Sequence, residues 1–118
     1  MLSERQIARL LDIANLACHK GMVREARAIF SAVLALQPDF APAQIGLAFS
    51  HIVVDAFDEA QAILEGVLSR DAGDADALAM LGLTHMLAGR RDAAEEAFAL
   101  ISNESTAASM ARVIMEAG

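Results

Sequence analysis

The chain has 118 residues, 56% of them hydrophobic and 21% charged, and its 9 basic and 16 acidic side chains leave a formal charge of −7. That length supports one modest core and excludes most multidomain enzymes, and the apolar content excludes a disordered chain. With no Trp or Tyr and an acidic balance, a general nucleic-acid binder is excluded, because phosphate is held by Lys and Arg and bases stack on aromatic rings.

In chain order, periodicity and punctuation predict a first helix over 4–20, broken at Gly21, and a second over 23–36, ended by Gln37-Pro38-Asp39. A third helix over 42–54 stops at Asp55, and a fourth over 57–70 stops at Asp71-Ala-Gly73-Asp74. A fifth over 75–88 stops at Gly89, and a sixth spans 91–102. A last helix, about 104–117, carries Met110, Val113 and Ile114 at spacings of three and four, and it is expected to cover the open apolar edge of the preceding pair. The longest uncharged run, Phe40 to Val54, is too short for a bilayer and contains Pro42, Gln44 and His51. The opening Met1–Gln6 lacks a basic segment leading into an unbroken apolar run, and the single Cys18 has no internal disulfide partner, so a cytoplasmic protein is expected. Cys18 reads as a small buried apolar residue.

Three blocks, Gly21-Met-Val-Arg-Glu-Ala26, Asp55-Ala-Phe-Asp-Glu-Ala60 and Gly89-Arg-Arg-Asp-Ala-Ala94, begin 34 residues apart. Nine residues into each stand Phe30, Leu64 and Phe98; seven before each stand Ala14, Ala48 and Gly82. These landmarks resemble the tetratricopeptide repeat, in which small residues let two antiparallel helices approach and a later large apolar residue fills the space between them. Pro38 closes the first repeat as that pattern expects, whereas Ala72 and Thr106 take its place in the others. The aromatic near each repeat start is replaced by Leu10, Gln44 and Leu78. The resemblance implies an all-α, right-handed superhelix of three hairpins, in repeats 7–40, 41–74 and 75–108 of a single domain spanning 1–118, with a C-terminal capping helix.

The second helices are ordinary amphipathic elements, but Ala43–Val54 and Ala77–Leu87 carry no acidic or basic side chain beyond histidine. A helix that is apolar all round must be covered on both sides. In a tetratricopeptide-like layout the first helices line the concave wall. Leu10, Ile13, Ala14 and Ala17 then fall on the internal side, with Leu47, Ala48 and His51, and with Leu78, Leu81, Gly82 and His85, in the later repeats. The opposite side carries Leu11, Asn15 and Cys18; Ile45, Phe49 and Ile52; then Ala79, Met80, Leu83 and Met86. Such a surface suits an amphipathic helix laid apolar side down, with Met80 and Met86 able to adapt to it. A contact removing ~500 Å² of apolar area would gain about 12 kcal/mol before ordering and association costs. Closure of the groove by the chain's own last helix, or pairing of two copies through it as a homodimer, are the competing ways to cover the patch.

No catalytic, cofactor or metal site is expected. His51 and His85 occupy equivalent places in successive repeats, too far apart for one zinc, and read as interhelical packing residues. Adjacent Cys18 and His19 point about 100° apart on a helix and make a poor nucleophile and base. The glycines form no phosphate-binding loop. Of the inner positions that hold Lys and Asn in repeats that clasp acidic tails, only Asn15 matches.

Repeat number, length and apolar groove together resemble the tetratricopeptide subunit of the type III secretion needle chaperones, the YscG/PscG family. That resemblance implies a bacterial, cytoplasmic protein whose concave surface holds the C-terminal helix of an aggregation-prone needle subunit. It also implies a second small helical co-chaperone near the N-terminal repeat, where no earlier repeat covers the first helix. Leu16 stands there at the place of Ser50 and Thr84. The other function class compatible with the groove is an assembly adaptor, a permanent subunit of a larger complex.

Overall fold

A computed structural model describes residues 2–101 and the helix 106–117, the side chains of 106–110 excepted. Among these residues the chain is helical throughout: α1 (Glu4–His19), α2 (Val23–Leu36), α3 (Ala41–Ile52), α4 (Phe57–Arg70), α5 (Ala75–Leu87), α6 (Arg91–Ala99) and α7 (Thr106–Ala117). Ser3 opens α1 with a capping box, its hydroxyl accepting from the Gln6 N–H while the Gln6 side chain accepts from the Ser3 N–H. Asp74 caps α5 by accepting from the Ala77 N–H at 3.0 Å. Pro42 sits in the first turn of α3, where a missing N–H leaves no helix bond unmade.

The turns within the pairs α1/α2, α3/α4 and α5/α6 share one design. Gly21, Asp55 and Gly89, 34 residues apart, each have positive φ. The N–H that follows each one reaches back to close the helix: Met22 to the Ala17 carbonyl, Ala56 to His51 and Arg90 to His85. This is the Schellman closure, which satisfies terminal carbonyls and turns the chain sharply. It stops α3 at Ile52, two residues short of the sequence expectation.

Each first helix packs on its own second helix, and α2 on α3 and α4 on α5 join successive pairs. Among the described residues α1 touches α3 and α3 touches α5, but α2 and α4, or α4 and α6, do not meet. A row of pairs joined along one side and splayed along the other is an arc with α1, α3 and α5 on its inner side. The molecule measures 42 × 27 × 21 Å.

The core follows the repeat landmarks. Phe30, Leu64 and Phe98 are buried, as are Ala14, Ala48 and Gly82. Gln44, at the place of a consensus aromatic, is used differently: its amide donates to the Pro38 carbonyl at 3.0 Å and its oxygen accepts from Arg70 at 2.6 Å. It thereby ties the linker before α3 to the end of α4.

The last helix packs on α5 and α6 and, among the described residues, reaches neither α1 nor α3. Its inward side differs from the expected stripe. Ala111 is buried and Ile114 and Met115 pack on the core, while Val113 is exposed. The spacing of three and four holds from Ala111. The side chain of Met110, also placed in that stripe, lies outside the described residues, as does the predicted helix start at 104–105.

Candidate functional site

The inner row α1, α3 and α5 forms the wall that the sequence predicts for the groove, and its composition follows from α3 and α5. Over Ala41–Ile52 no acidic or basic side chain occurs apart from His51, and over Ala75–Leu87 only Asp76 and His85 do.

Six of the nine predicted partner-facing residues, Asn15, Ile45, Phe49, Met80, Leu83 and Met86, are partly buried. Ile45 and Met80 pack against the central core around Ile52 and Leu64. Phe49 leans on the α1/α2 core, and its ring stands 5.1 Å from that of His19, tilted by 56°. Met86 packs against the C-terminal core around Leu78 and Phe98. Leu83 joins none of these clusters among the described residues.

Leu11, Cys18 and Ile52 are placed otherwise than expected, with exposures of only 9%, 2% and 4%. Where neighbouring first helices touch, their side chains fill the seam between helices and do not face outward. They support the wall without offering contact area. Cys18 is therefore the small buried apolar residue of the sequence reading. Burial pushes its thiol pKa up, with Arg27 acting weakly in the opposite sense, so it is poorly suited to nucleophilic chemistry. Removing these three residues from the wall shrinks the apolar area on offer.

A second surface lies on the outer side of α1. Ile13, expected on the internal side, is 49% exposed, and Leu16 is 55% exposed. At the equivalent places Leu47 and Leu81 are partly buried, and Ser50 and Thr84 fully so. In the later pairs these positions face the second helix of the preceding pair; among the described residues α1 packs only on α2 and α3.

His51 and His85 are interhelical residues. Arg27 of α2 lies 3.1 Å from His51 Nδ1, and Arg90 donates to His85 Nδ1 at 3.0 Å. Their Nδ1 lone pairs are thus already engaged. Sequence reasoning passed over Arg27 and Arg90; the available signal was the pair Ser50-His51 and Thr84-His85, polar residues recurring 34 apart in otherwise apolar helices. Among the described residues no group of three His, Cys, Asp or Glu is placed to hold a metal. No helix among them is long and apolar enough to cross a membrane.

An open cleft also lies between α6 and α7, lined by Phe98, Ile101, Ala111 and Met115 with Glu95 and Glu116 at its rim. It sits at the C-terminal edge, away from the α3 part of the wall.

An arc of helix pairs with repeated turns, whose inner helices α3 and α5 are almost free of charge, defines a helical-repeat binding protein. The tetratricopeptide repeat family profile matches residues 17–65 and again 55–113, so the chain belongs to that family. The family is a protein-interaction repeat, generally without enzymatic activity. No curated protein matches the chain.

Proposed function

We propose that the protein is a holding chaperone that receives the amphipathic helix of an aggregation-prone client along α3 and α5. The observation that carries this reading is the partly exposed apolar row Ile45, Phe49, Met80 and Leu83 on two helices almost free of charge. Burying such side chains is favourable, and a helix with one apolar stripe matches the shape of the row. Asn15 supplies a polar group at the N-terminal end. The resemblance to the YscG/PscG chaperones gives the client as a type III secretion needle subunit held in the bacterial cytoplasm until export. In this reading repeats 7–40, 41–74 and 75–108 act as one domain. Exposed Ile13 and Leu16 on α1 receive a small helical co-chaperone in the position of a preceding second helix. Without its client the protein pairs with itself through the same row.

Co-expression with a needle subunit tests the proposal. The wild-type protein should keep the subunit soluble in a stoichiometric complex and give it up on delivery. Leu83→Glu should leave the free protein helical and abolish the complex. Phe49→Glu should abolish it too, but Leu83 is the cleaner probe because Phe49 also packs on the α1/α2 core. Unchanged binding by both variants would defeat the groove assignment. A complex that never dissociates would identify a permanent assembly adaptor.

A further inference from the structure

The two junctions between successive helix pairs are built around the same polar device. At the first, Arg27 of α2 donates from Nε to Ser50 Oγ at 3.0 Å and from a terminal nitrogen to the Ser50 carbonyl at 3.3 Å. That same terminal nitrogen lies 3.1 Å from His51 Nδ1. At the second, Arg90 at the head of α6 donates from Nε to His85 Nδ1 at 3.0 Å and from a terminal nitrogen to Gln61 Oε1 of α4 at 3.2 Å. His51 and His85 are 34 residues apart, and so are Arg27 and Gln61. One place in the repeat therefore carries a histidine-to-guanidinium contact at both junctions, but His51 meets Arg27 across the α2/α3 junction, whereas His85 holds Arg90 within its own pair and Arg90 crosses to Gln61 of α4.

A guanidinium has five N–H donors and no acceptor. Each contact therefore requires Nδ1 to present its lone pair, with the imidazole neutral and its proton on Nε2. In the imidazolium form both ring nitrogens are donors, so an N–H would face an N–H and two cations would stand about 3 Å apart.

We propose that His51 and His85 form a two-point acid latch: neutral, His51 holds Arg27 across the first junction and His85 holds Arg90 where it reaches Gln61 across the second, and protonation releases both arginines and loosens the inner wall that α3 and α5 provide. The groups facing each ring oppose one another. Arg27 from α2 and Glu59 from α4 act on His51; Arg90, Glu65 from α4 and Glu96 from α6 act on His85. Burial, followed by the arginine, outweighs the glutamates at both sites and lowers both pKa values from 6.5. The sign follows directly. The unfolded chain binds these two protons more readily than the native one, so the stability they contribute is complete above about pH 6.5 and is lost as pH falls through the folded-state values. This device does not depend on the identity of any client.

The test uses the intact free protein. Nitrogen-15 NMR of the imidazoles should find His51 and His85 with unprotonated Nδ1 at neutral pH, each titrating below 6.5. The urea midpoint should fall between pH 7.5 and pH 5.0, a range in which ordinary carboxylates stay largely ionised. The double variant His51→Asn/His85→Asn, whose amide oxygens stand in the place of Nδ1 and still accept from arginine but do not titrate, should lose much less over the same range. Either histidine titrating at or above 6.5, or an equal fall in wild type and variant, would overturn the latch. Should the variant not fold, the titration of the wild-type histidines decides alone.

Discussion

Gly82 of α5 lies directly against the ring of Phe98 on α6, so closely that a Cβ at Gly82 would overlap Phe98 Cε1; Gly46 of α3 stands in the same relation to Phe30 of α2. The two contacts do different jobs. Gly82 lets the helices of one pair approach, whereas Gly46 lets the second helix of one pair approach the first helix of the next.

Alanine at either position should therefore destabilise the fold, but unequally. Phe30 is fully buried and has nowhere to move, while Phe98 borders the cleft between α6 and α7 and can shift into it. Gly46→Ala is expected to cost about 2–3 kcal/mol and Gly82→Ala about 1–2 kcal/mol, the range of overpacked cores. Gly66, in the middle of α4 with nothing within 4 Å of an added Cβ, should behave oppositely. There Gly66→Ala should gain about 0.5–1 kcal/mol through helix propensity. Urea denaturation of the three variants checks both the order and the sign.

Asp55 is the non-glycine residue with positive φ, at 61°, among three equivalent turns. A side chain in the left-handed region is strained, though aspartate tolerates it better than most. Asp55→Gly is expected to stabilise by about 0.5–1 kcal/mol, and the β-branched Asp55→Val to destabilise by more than that. Thermal unfolding monitored by circular dichroism measures both.

Leu16 and Ser50 hold equivalent repeat positions with opposite surroundings, one exposed on α1 and the other buried against Arg27. Leu16→Ser should change stability by less than about 0.5 kcal/mol. Ser50→Leu should cost about 2 kcal/mol or more, because it overpacks the α2/α3 junction and strips Arg27 of a partner. Equal effects would mean that the outer side of α1 is not an open edge. Denaturant midpoints of the two variants settle it.

The period of 34 makes most of this architecture readable in the sequence. Gly21, Asp55 and Gly89 mark the turns, and Phe30, Leu64 and Phe98 mark the core, because each is a local requirement repeated in register. The groove was less legible. Whether Cys18 and Ile52 point outward or into the seam depends on how closely α1, α3 and α5 approach, which no local pattern encodes. Ile13 was misplaced for a related reason: its repeat position is internal only when an earlier pair covers it, and among the described residues no pair lies against it. Gly46 also went unassigned, since its partner Phe30 belongs to the preceding repeat. The departure of α7 from its expected stripe has the same origin, a register chosen by the neighbour on which the helix packs.

Methyl NMR of the protein, with increasing amounts of a peptide spanning the C-terminal helix of a type III needle subunit, tests the central claim most directly. The account predicts that the methyl signals of Ile45, Met80, Leu83 and Met86 shift together, while that of Leu100, 70% exposed on the far side of the last pair, stays in place. Shifts gathered instead at Ile13 and Leu16, or along the cleft between α6 and α7, with the α3 and α5 methyls unmoved, would contradict it.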